Sequence, residues 1–253
     1  ASELDKMNSE RKTTEDTTLA AAAAQAETFP PAEREMGMVV SGEGWHAGIL
    51  GIVAARLSGR YNCPAVVIAM DSNGLGRGSA RTSSDVDLME LLGESSRLLK
   101  SFGGHRAAAG LTVERKNLEE FRARFLAACR AKLTGQDMSP VIRIGAWVES
   151  LGDIDMSLME WLHKLEPYGM GNPSPILAAR SVQVIVSPRV VGKNHLQLNL
   201  AAGGSQFEAV AFGMGDVELP DGNLDVAFHP AIDTYRGMRR IRLQIKDWRS
   251  CPD

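Results

Sequence analysis

Two guanidiniums and a hydroxyl stand on one short glycine-loosened stretch, Gly76-Arg77-Gly78-Ser79-Ala80-Arg81. It reads as a strand that runs into a helix start: Thr82, Ser83, Ser84 and Asp85 offer side-chain caps. Leu88, Leu91, Leu92, Leu99 and Phe102 then recur at helical spacing until Gly103-Gly104 stops the pattern, so the spacing predicts a helix over 85–102. The chemistry that suits such a stretch is anion capture. Free N–H groups at a helix start, the positive end of the helix dipole, the Ser79 hydroxyl and the fork of Arg81 combine into a phosphate pocket. His105 and Arg106, just past the expected helix, are further donors that tertiary folding could bring to the same place. The competing reading is a turn followed by a solvated arginine.

A rival site lies at Gly42-Glu43-Gly44-Trp45-His46-Ala47, which matches the dinucleotide fingerprint G-x-G-x-x-A between a strand and a helix, with Asp71 ending the next strand. Bulky Trp45 and His46 fill the turn where a pyrophosphate needs close backbone approach, and a hairpin replaces the further βαβ units, which argues against a nicotinamide or flavin. Trp45 and His46 read better as pocket-lining groups, or Trp45 as packing. The five histidines (His46, His105, His163, His195, His229) are scattered, with no i, i+4 pair and no Asp-rich cluster, so no metal cofactor is expected in this chain. Ser79 lacks a nucleophile-elbow context and no carboxylate in either motif is placed to orient His105, which argues against a Ser/His hydrolase. Cys63, Cys129 and Cys251 are far apart and form no C-x-x-C pair, so neither a disulfide framework nor zinc is suggested.

The chain has 253 residues, is 44% hydrophobic and carries a formal net charge of −3. That length suits two domains. The charge is uneven: residues 1–35 hold 4 basic and 8 acidic side chains, whereas residues 36–134 hold 13 basic and 9 acidic. A net-acidic protein can thus carry a basic groove. No apolar run approaches the ~20 residues of a membrane span and the first residues lack signal-peptide regions, so a soluble, cytoplasmic protein with no membrane partner is expected.

These residues need elements to hold them. Residues 1 to about 28 read as a long helix with an Ala20–Ala24 run, ended by Phe29-Pro30-Pro31. It has few large apolar residues, which suggests a connecting helix whose other partner is a preceding domain. Met36–Ser41 as a strand, Trp45–Leu57 as a helix and Pro64–Met70 as a second strand form a βαβ unit with parallel strands. Asp71-Ser72-Asn73-Gly74 then turns Gly76–Thr82 back antiparallel. A strand over Ala108–Val113 follows the expected helix, and a last helix begins at Asn117, with Glu120 three residues after this cap and Leu118, Phe121, Phe125 and Leu133 on its buried side. Gly135–Pro140 is a linker by composition. Beyond it come a strand Val141–Val148, a helix Met156–Leu165, a Gly/Pro segment over 166–175, and strands near 180–187, 194–201, 206–212, 224–232 and 239–247. Leucines alternate with polar residues in His195–Leu200, and Arg240, Arg242, Gln244 and Lys246 oppose Ile241, Leu243 and Ile245. Such short strands with one embedded helix suggest an OB-like barrel whose polar face, with Arg and Tyr235 nearby, could track a nucleic-acid backbone and stack bases. A merely solvated face fits the pattern as well. The expected architecture is a connecting helix and linker over 1–35, a mixed α/β domain over 36–134 and a barrel domain over 141–250.

The residues also carry a resemblance. Gly76–Arg81 as a GxGSAR strand, Phe102-Gly103-Gly104-His105 followed by Ala107-Ala108-Ala109-Gly110, and Gly44-Trp45-His46-Ala47-Gly48-Ile49-Leu50-Gly51-Ile52-Val53-Ala54 together resemble the DHHA1 domain of the DHH phosphoesterase superfamily. Leu4-Asp5-x-x-Asn8-x-x-Arg11, the run Leu165–Pro175 (LEPYGMGNPSP) and the trailing OB-like barrel make the whole chain similar to the C-terminal part of the RecJ family of single-strand-specific DNA exonucleases. The resemblance implies a 5′-to-3′ exonuclease of DNA repair and recombination, whose preceding DHH domain holds Mn2+ or Mg2+ and does the cutting. This chain would not cut DNA alone. It further implies that Ser79 and Arg81 bind the terminal 5′ phosphate and that Gly103, Gly104 and His105 line the cleft beside it. Trp45, His46, Arg77, Arg106, His195, Tyr235, Arg239, Arg240 and Arg242 are further DNA-contact candidates, Trp45 and His46 resembling positions at the domain interface. Gln197 stands where relatives often carry a basic residue. Single-stranded DNA, the DHH domain of the same chain and single-stranded-DNA-binding protein are the implied partners. Two alternatives differ in class: a stand-alone single-strand-binding module, and a DHHA1 phosphodiesterase acting on cyclic dinucleotides or short RNA.

Overall fold

A computed structural model describes residues 2–135, 141–169, 171–234 and 237–251. The expected linker therefore lies, from Gln136 to Pro140, outside the described residues, as does Tyr235. The chain divides into two units, 1–140 and 141–253.

In the first unit, α1 (Ser2–Glu27) lays small residues such as Ala22 and Ala26 against α3 (Leu50–Tyr61). The two helices are fastened by a buried carboxylate. Glu15 is only 3% exposed at its side chain and accepts from Arg11 Nη1 at 2.7 Å, while Arg56 Nη2 of α3 lies 2.6 Å from its other oxygen. After a short helix, α2 (Pro31–Arg34), the chain builds β1 (Met38–Glu43), α3, β2 (Ala65–Met70), β3 (Leu75–Arg81), α4 (Leu88–Gly93), β4 (Leu99–His105), β5 (Ala108–Glu114) and α5 (Leu118–Leu133). The sheet order is β1-β2-β3-β5-β4, with β1 and β2 parallel and the other pairs antiparallel.

The βαβ expectation holds, with a 3₁₀ turn over Ala47–Ile49 ahead of α3. Met38, Val40, Ala65 and Val67 pack under α1 and α3, whereas Val39, Val66, Ile68, Ala80, Leu111 and Phe125 belong to the core on the other face, with α4 and α5. Alternation along the strands thus serves two helical layers, as the period of two requires.

The helix expected over 85–102 is not formed. It is the six-residue α4, a 3₁₀ turn at Ser96–Leu98 and then the strand β4. Asp87, not Thr82–Asp85, is the cap, accepting from the Met89 N–H at 2.8 Å; Ser83 is instead tied to Ser58 of α3. The pairing of β4 with β5 shifts register between Leu99 and Ser101, leaving Lys100 as an extra residue. That bulge turns Leu99 and Phe102 to one face, so a strand imitates helical spacing. Gly103, Gly104 and His105 consequently lie inside a strand rather than past a helix. Nor does Asn117 cap α5 with its side chain, which donates to the Leu98 carbonyl at 3.2 Å.

The second unit is a closed barrel: β7 (Leu177–Val191), β8 (His195–Ala202), β9 (Ser205–Phe212), β11 (Arg240–Ser250) and β10 (Leu224–Asp233) pair in that circular order, β9 and β11 being parallel. Leu196, Leu198, Leu200, Leu243 and Ile245 fill the interior, as their alternation predicts, together with Leu151 and Ile154 at a 3₁₀ turn. α6 (Met156–Lys164) flanks β10. The strand expected over Val141–Val148 shrinks to β6 (Ala146–Trp147), because Val141 and Trp147 are exposed at 81% and 44% and give the run no buried face.

Asp225, 4% exposed, fastens β10 to both neighbours. It accepts from Arg249 Nη2 on β11 at 2.9 Å and from the Ser181 amide on β7 at 3.3 Å. Burial pushes its carboxyl up, but the Arg249 hydrogen bonds, the Ser181 amide and the Arg249 charge outweigh that and hold it below the usual Asp value of 3.8. A lowered folded pKa stabilises above the unfolded value and is lost as pH falls through the folded one. The melting temperature of the barrel should therefore fall as the pH drops below about 4. Asp225→Asn should cost about 1.5–3 kcal/mol at pH 7 and flatten that acid limb. Thermal melts of both proteins across pH 2–7 read this directly.

Candidate nucleic-acid interface

Register decides which residues meet. Ser79 pairs with Val67 and Gly110, and Gly110 with Gly103; Arg81 pairs with Ala65 and Ala108, and Ala108 with His105; Arg77 pairs with Ala69 and Thr112. Paired residues share a face, so Arg77, Ser79, Arg81, Gly103 and His105 all stand on the face that carries α3. On that face α1 lies over β1, and α3 over β2 and β3. Over β5 and β4 it is bare: Gly103, His105 and Gly110 are exposed.

Ser79 and Arg81, expected together, are together. Arg81 Nη1 donates to Ser79 Oγ at 2.9 Å and to the Ala80 carbonyl at 2.8 Å, so the guanidinium folds back along its own strand. Room for it is made by Gly51, near the start of α3: a Cβ there would stand 2.7 Å from Arg81 Nη2 and 3.4 Å from Ser79 Oγ. The helix start nearest this pair is thus that of α3, not one following Arg81. Sequence spacing does not single out Gly51, because its role is contact across the fold, which leaves no local signal. Arg77 is exposed and makes no hydrogen bond or ion pair with the described residues.

Trp45 lies over Gly42, where a Cβ would come within 2.3 Å of its ring, and it packs on the cluster under α3. Gly42 pairs with Ala69, which pairs with Arg77, so the indole sits in the row of Arg77 on the same face. The ring occupies the turn and stands against the dinucleotide reading. His46 caps the 3₁₀ turn, its Nδ1 accepting from the Gly48 N–H at 3.1 Å.

The other candidates are drawn elsewhere. Arg106 donates to Asp85 Oδ1 at 2.7 Å and does not join Ser79 and Arg81. In the barrel unit, His195 accepts from the Gly213 N–H at 3.1 Å and meets the Phe212 ring edge-on. Arg240 and Arg242 lie 3.4 and 3.1 Å from Glu208, and Arg242 also 3.0 Å from Asp233, so carboxylates balance the expected basic stripe. Arg239 is exposed near Tyr168 and His229. An aromatic platform that alternation did not flag is Trp147, with the Arg180 guanidinium 4.7 Å from the ring centre. Among the described residues no group of three or more His, Cys, Asp or Glu could hold a metal ion, and no helix is long and apolar enough to cross a membrane.

Comparison with known proteins matches residues 35–131 to the DHHA1 domain and residues 148–247 to the RecJ OB domain. The chain is thus a mixed α/β DHHA1 domain joined to an OB-type barrel. Proteins named single-stranded-DNA-specific exonuclease RecJ align along most of it: that of Bacillus subtilis is 30% identical over 84% of this chain and 28% of its own length. That of Salmonella typhimurium is 27% identical over 98% of this chain and 44% of its own. The crystal structure of RecJ in complex with Mg2+ from Thermus thermophilus superposes with a TM-score of 0.79 at 26% identity, covering 100% of this chain and 38% of that one. A second crystal structure from the same source holds Mn2+. The chain belongs to the RecJ family, and it spans between 28% and 44% of the length of these curated relatives.

The geometry separates glycines that the fold requires from those it does not. Gly104 has φ +153°, and a Cβ there would lie 2.3 Å from the Ala108 carbonyl oxygen and 2.6 Å from Ala109 Cα. Gly104→Ala should therefore cost at least about 1–3 kcal/mol from backbone strain alone, measured as a lowered denaturant midpoint.

Proposed function

We propose that this chain is the end-recognition and strand-guiding part of a RecJ-like 5′-to-3′ single-stranded-DNA exonuclease. The observation that carries the reading is the Ser79–Arg81 pair, held at 2.9 Å where the α3-covered face gives way to the bare one. Arg81 spends one nitrogen on its own strand, and its Nη2 faces Gly51. A guanidinium and a hydroxyl so preorganised suit a terminal phosphate, because charge-assisted, forked hydrogen bonds fix both position and charge. Arg77 adds a second cation in the same face, and Gly103 and His105 border it two strands away, whereas Gly104 belongs to the row of Ala109 and Ala80 on the opposite face. His105 faces the substrate side of the sheet, as the cleft-lining role needs.

The barrel's part is guidance. Base–aromatic stacking tolerates any sequence, and Trp147 with Arg180 offers such a platform; the paired Arg240 and Arg242 are weaker candidates than isolated cations. The Thermus relatives are complexes with Mg2+ and with Mn2+, and a divalent ion of that kind would supply the hydrolytic chemistry. The family resemblance assigns the cutting step to a preceding metal-bearing DHH domain, and this chain to binding. Action in repair and recombination, partnership with single-stranded-DNA-binding protein and a cytoplasmic setting follow from the same reading.

Arg81→Ala should weaken binding of a 5′-phosphorylated oligonucleotide by roughly 10- to 150-fold, the loss of about 1.5–3 kcal/mol, and leave its 5′-hydroxyl counterpart nearly unchanged. Fluorescence anisotropy with both oligonucleotides measures the difference, and equal losses would remove end recognition. Binding should also fall steeply with salt, with a log–log slope of about −2 for three phosphate contacts; a flat response would remove the strand-guiding role.

A further inference from the structure

Gly110 has no structural reason to be glycine. It sits in the middle of β5, its backbone lies outside the left-handed region, and a Cβ built on it would approach nothing closer than the Gly78 carbonyl oxygen at 3.9 Å. Its cross-strand partner Gly103 is the same: ordinary backbone, and open space within 4 Å of its would-be Cβ. The neighbouring glycines are different. Gly76 would strike Met70 and Ile68 at 2.6 and 2.8 Å, Gly78 would press on Ile68 and Leu111 at 3.0 Å, and Gly104 is strained and blocked. Packing or torsion explains those three.

Glycine in a strand interior weakens the strand relative to alanine or a β-branched residue, and where no bulge or bend demands it, it marks a place where a ligand or another backbone approaches closely. Here two such glycines stand side by side in one row with Ser79, exposed, on the bare half of the sheet. Three strands at about 4.8 Å spacing make the row about 10 Å wide. That is too broad for a phosphate alone and fits a flat group laid on peptide planes beside it.

We infer that Gly110, with Gly103, is the seat on which the sugar and base of the first nucleotide lie flat against the sheet, next to the phosphate contact at Ser79 and Arg81. This rests on the phosphate reading for its orientation. The seat selects by steric access: a side chain at Gly110 lifts the nucleoside off the backbone without touching the arginine. It also gives the two glycines a cost in stability that their binding role offsets.

The test is a set of substitutions in the chain as it stands: Gly110→Ala, Gly110→Val, Gly103→Val and Arg81→Ala. Affinities are measured for 5′-phosphorylated and 5′-hydroxyl single-stranded oligonucleotides, beside thermal melts. The expected result is that Gly110→Val and Gly103→Val melt at or above the wild-type temperature. Both should lose at least tenfold in affinity for both oligonucleotides, with Gly110→Ala between. Arg81→Ala should lose affinity for the phosphorylated one alone. Wild-type affinity in both valine variants would overturn the seat, whatever Arg81→Ala does. So would a lowered melting temperature in both Gly110→Ala and Gly110→Val, since the fold would then require the glycine. If the valine variants lose affinity as expected while Arg81→Ala binds both oligonucleotides like wild type, the seat stands and the phosphate reading falls.

Discussion

The site depends on where α3 stops. A helix packed over a twisted sheet covers about two strands, and α3 lies on β2 and β3 with α1 beside it on β1: Val53, Ala54 and Leu57 share one core with Val40, Ala65 and Val67. Over β3 it presents Gly51 rather than a bulky residue, and Arg81 folds into that gap onto Ser79. Beyond this line no described element of the first unit covers the strands. The same face that is apolar under the helix is therefore lined beyond it by Arg77, Ser79, Thr112, Ser101, Gly110, Gly103 and His105. One sheet supplies a core on one side of a boundary and a polar, small-residue floor on the other.

Holding that boundary is a matter of fastening α3. The buried Glu15 ties it to α1 through Arg56, and Ser58 ties its far end to Ser83 in the loop after β3. These contacts show why the serines behind Arg81 are not caps of the next helix: the Ser83 hydroxyl and amide are engaged with Ser58 of α3, and those of Ser84 with Thr82. The residues that read as a helix start are what keeps β3 and α3 in step. In the barrel unit the corresponding fastening is Asp225, a buried carboxylate on β10 joined to Arg249 and Ser181 across two strand pairs. A buried acid is thus retained where two helices must stay together in the first unit and three strands in the second, and each is partnered, as a buried charge must be.

The chain also separates charge by position. Acidic partners quench Arg240, Arg242 and Arg249 of the barrel and Arg106 of the first unit, whereas Arg77 makes no such pair and Arg81 pairs only with a hydroxyl and a carbonyl. A cation paired with a carboxylate must first lose that partner before it can serve a phosphate, so the arginines on β3 are among those whose charge is available. Net charge hides this, since what matters is which guanidiniums the fold has left without an anion.

Much was legible in the sequence because it is written in short periods. The parallel β1–α3–β2 unit, the antiparallel return of β3, the long α1 and the alternating barrel strands all follow from periods of two or 3.6 and from glycine and proline punctuation. The pairing of Ser79 with Arg81 was legible too, since residues two apart on a strand share a face. What the sequence could not decide was anything resting on register between distant strands. The Lys100 bulge let Leu99 and Phe102 imitate a helix, and so moved Gly103 to His105 from a loop into a strand. Gly51 and Gly110 matter only because α3 crosses β3 and because β5 lies between β3 and β4, orders of packing that leave no local trace. Local spacing records which face a side chain takes; only the closed sheet determines what stands opposite it.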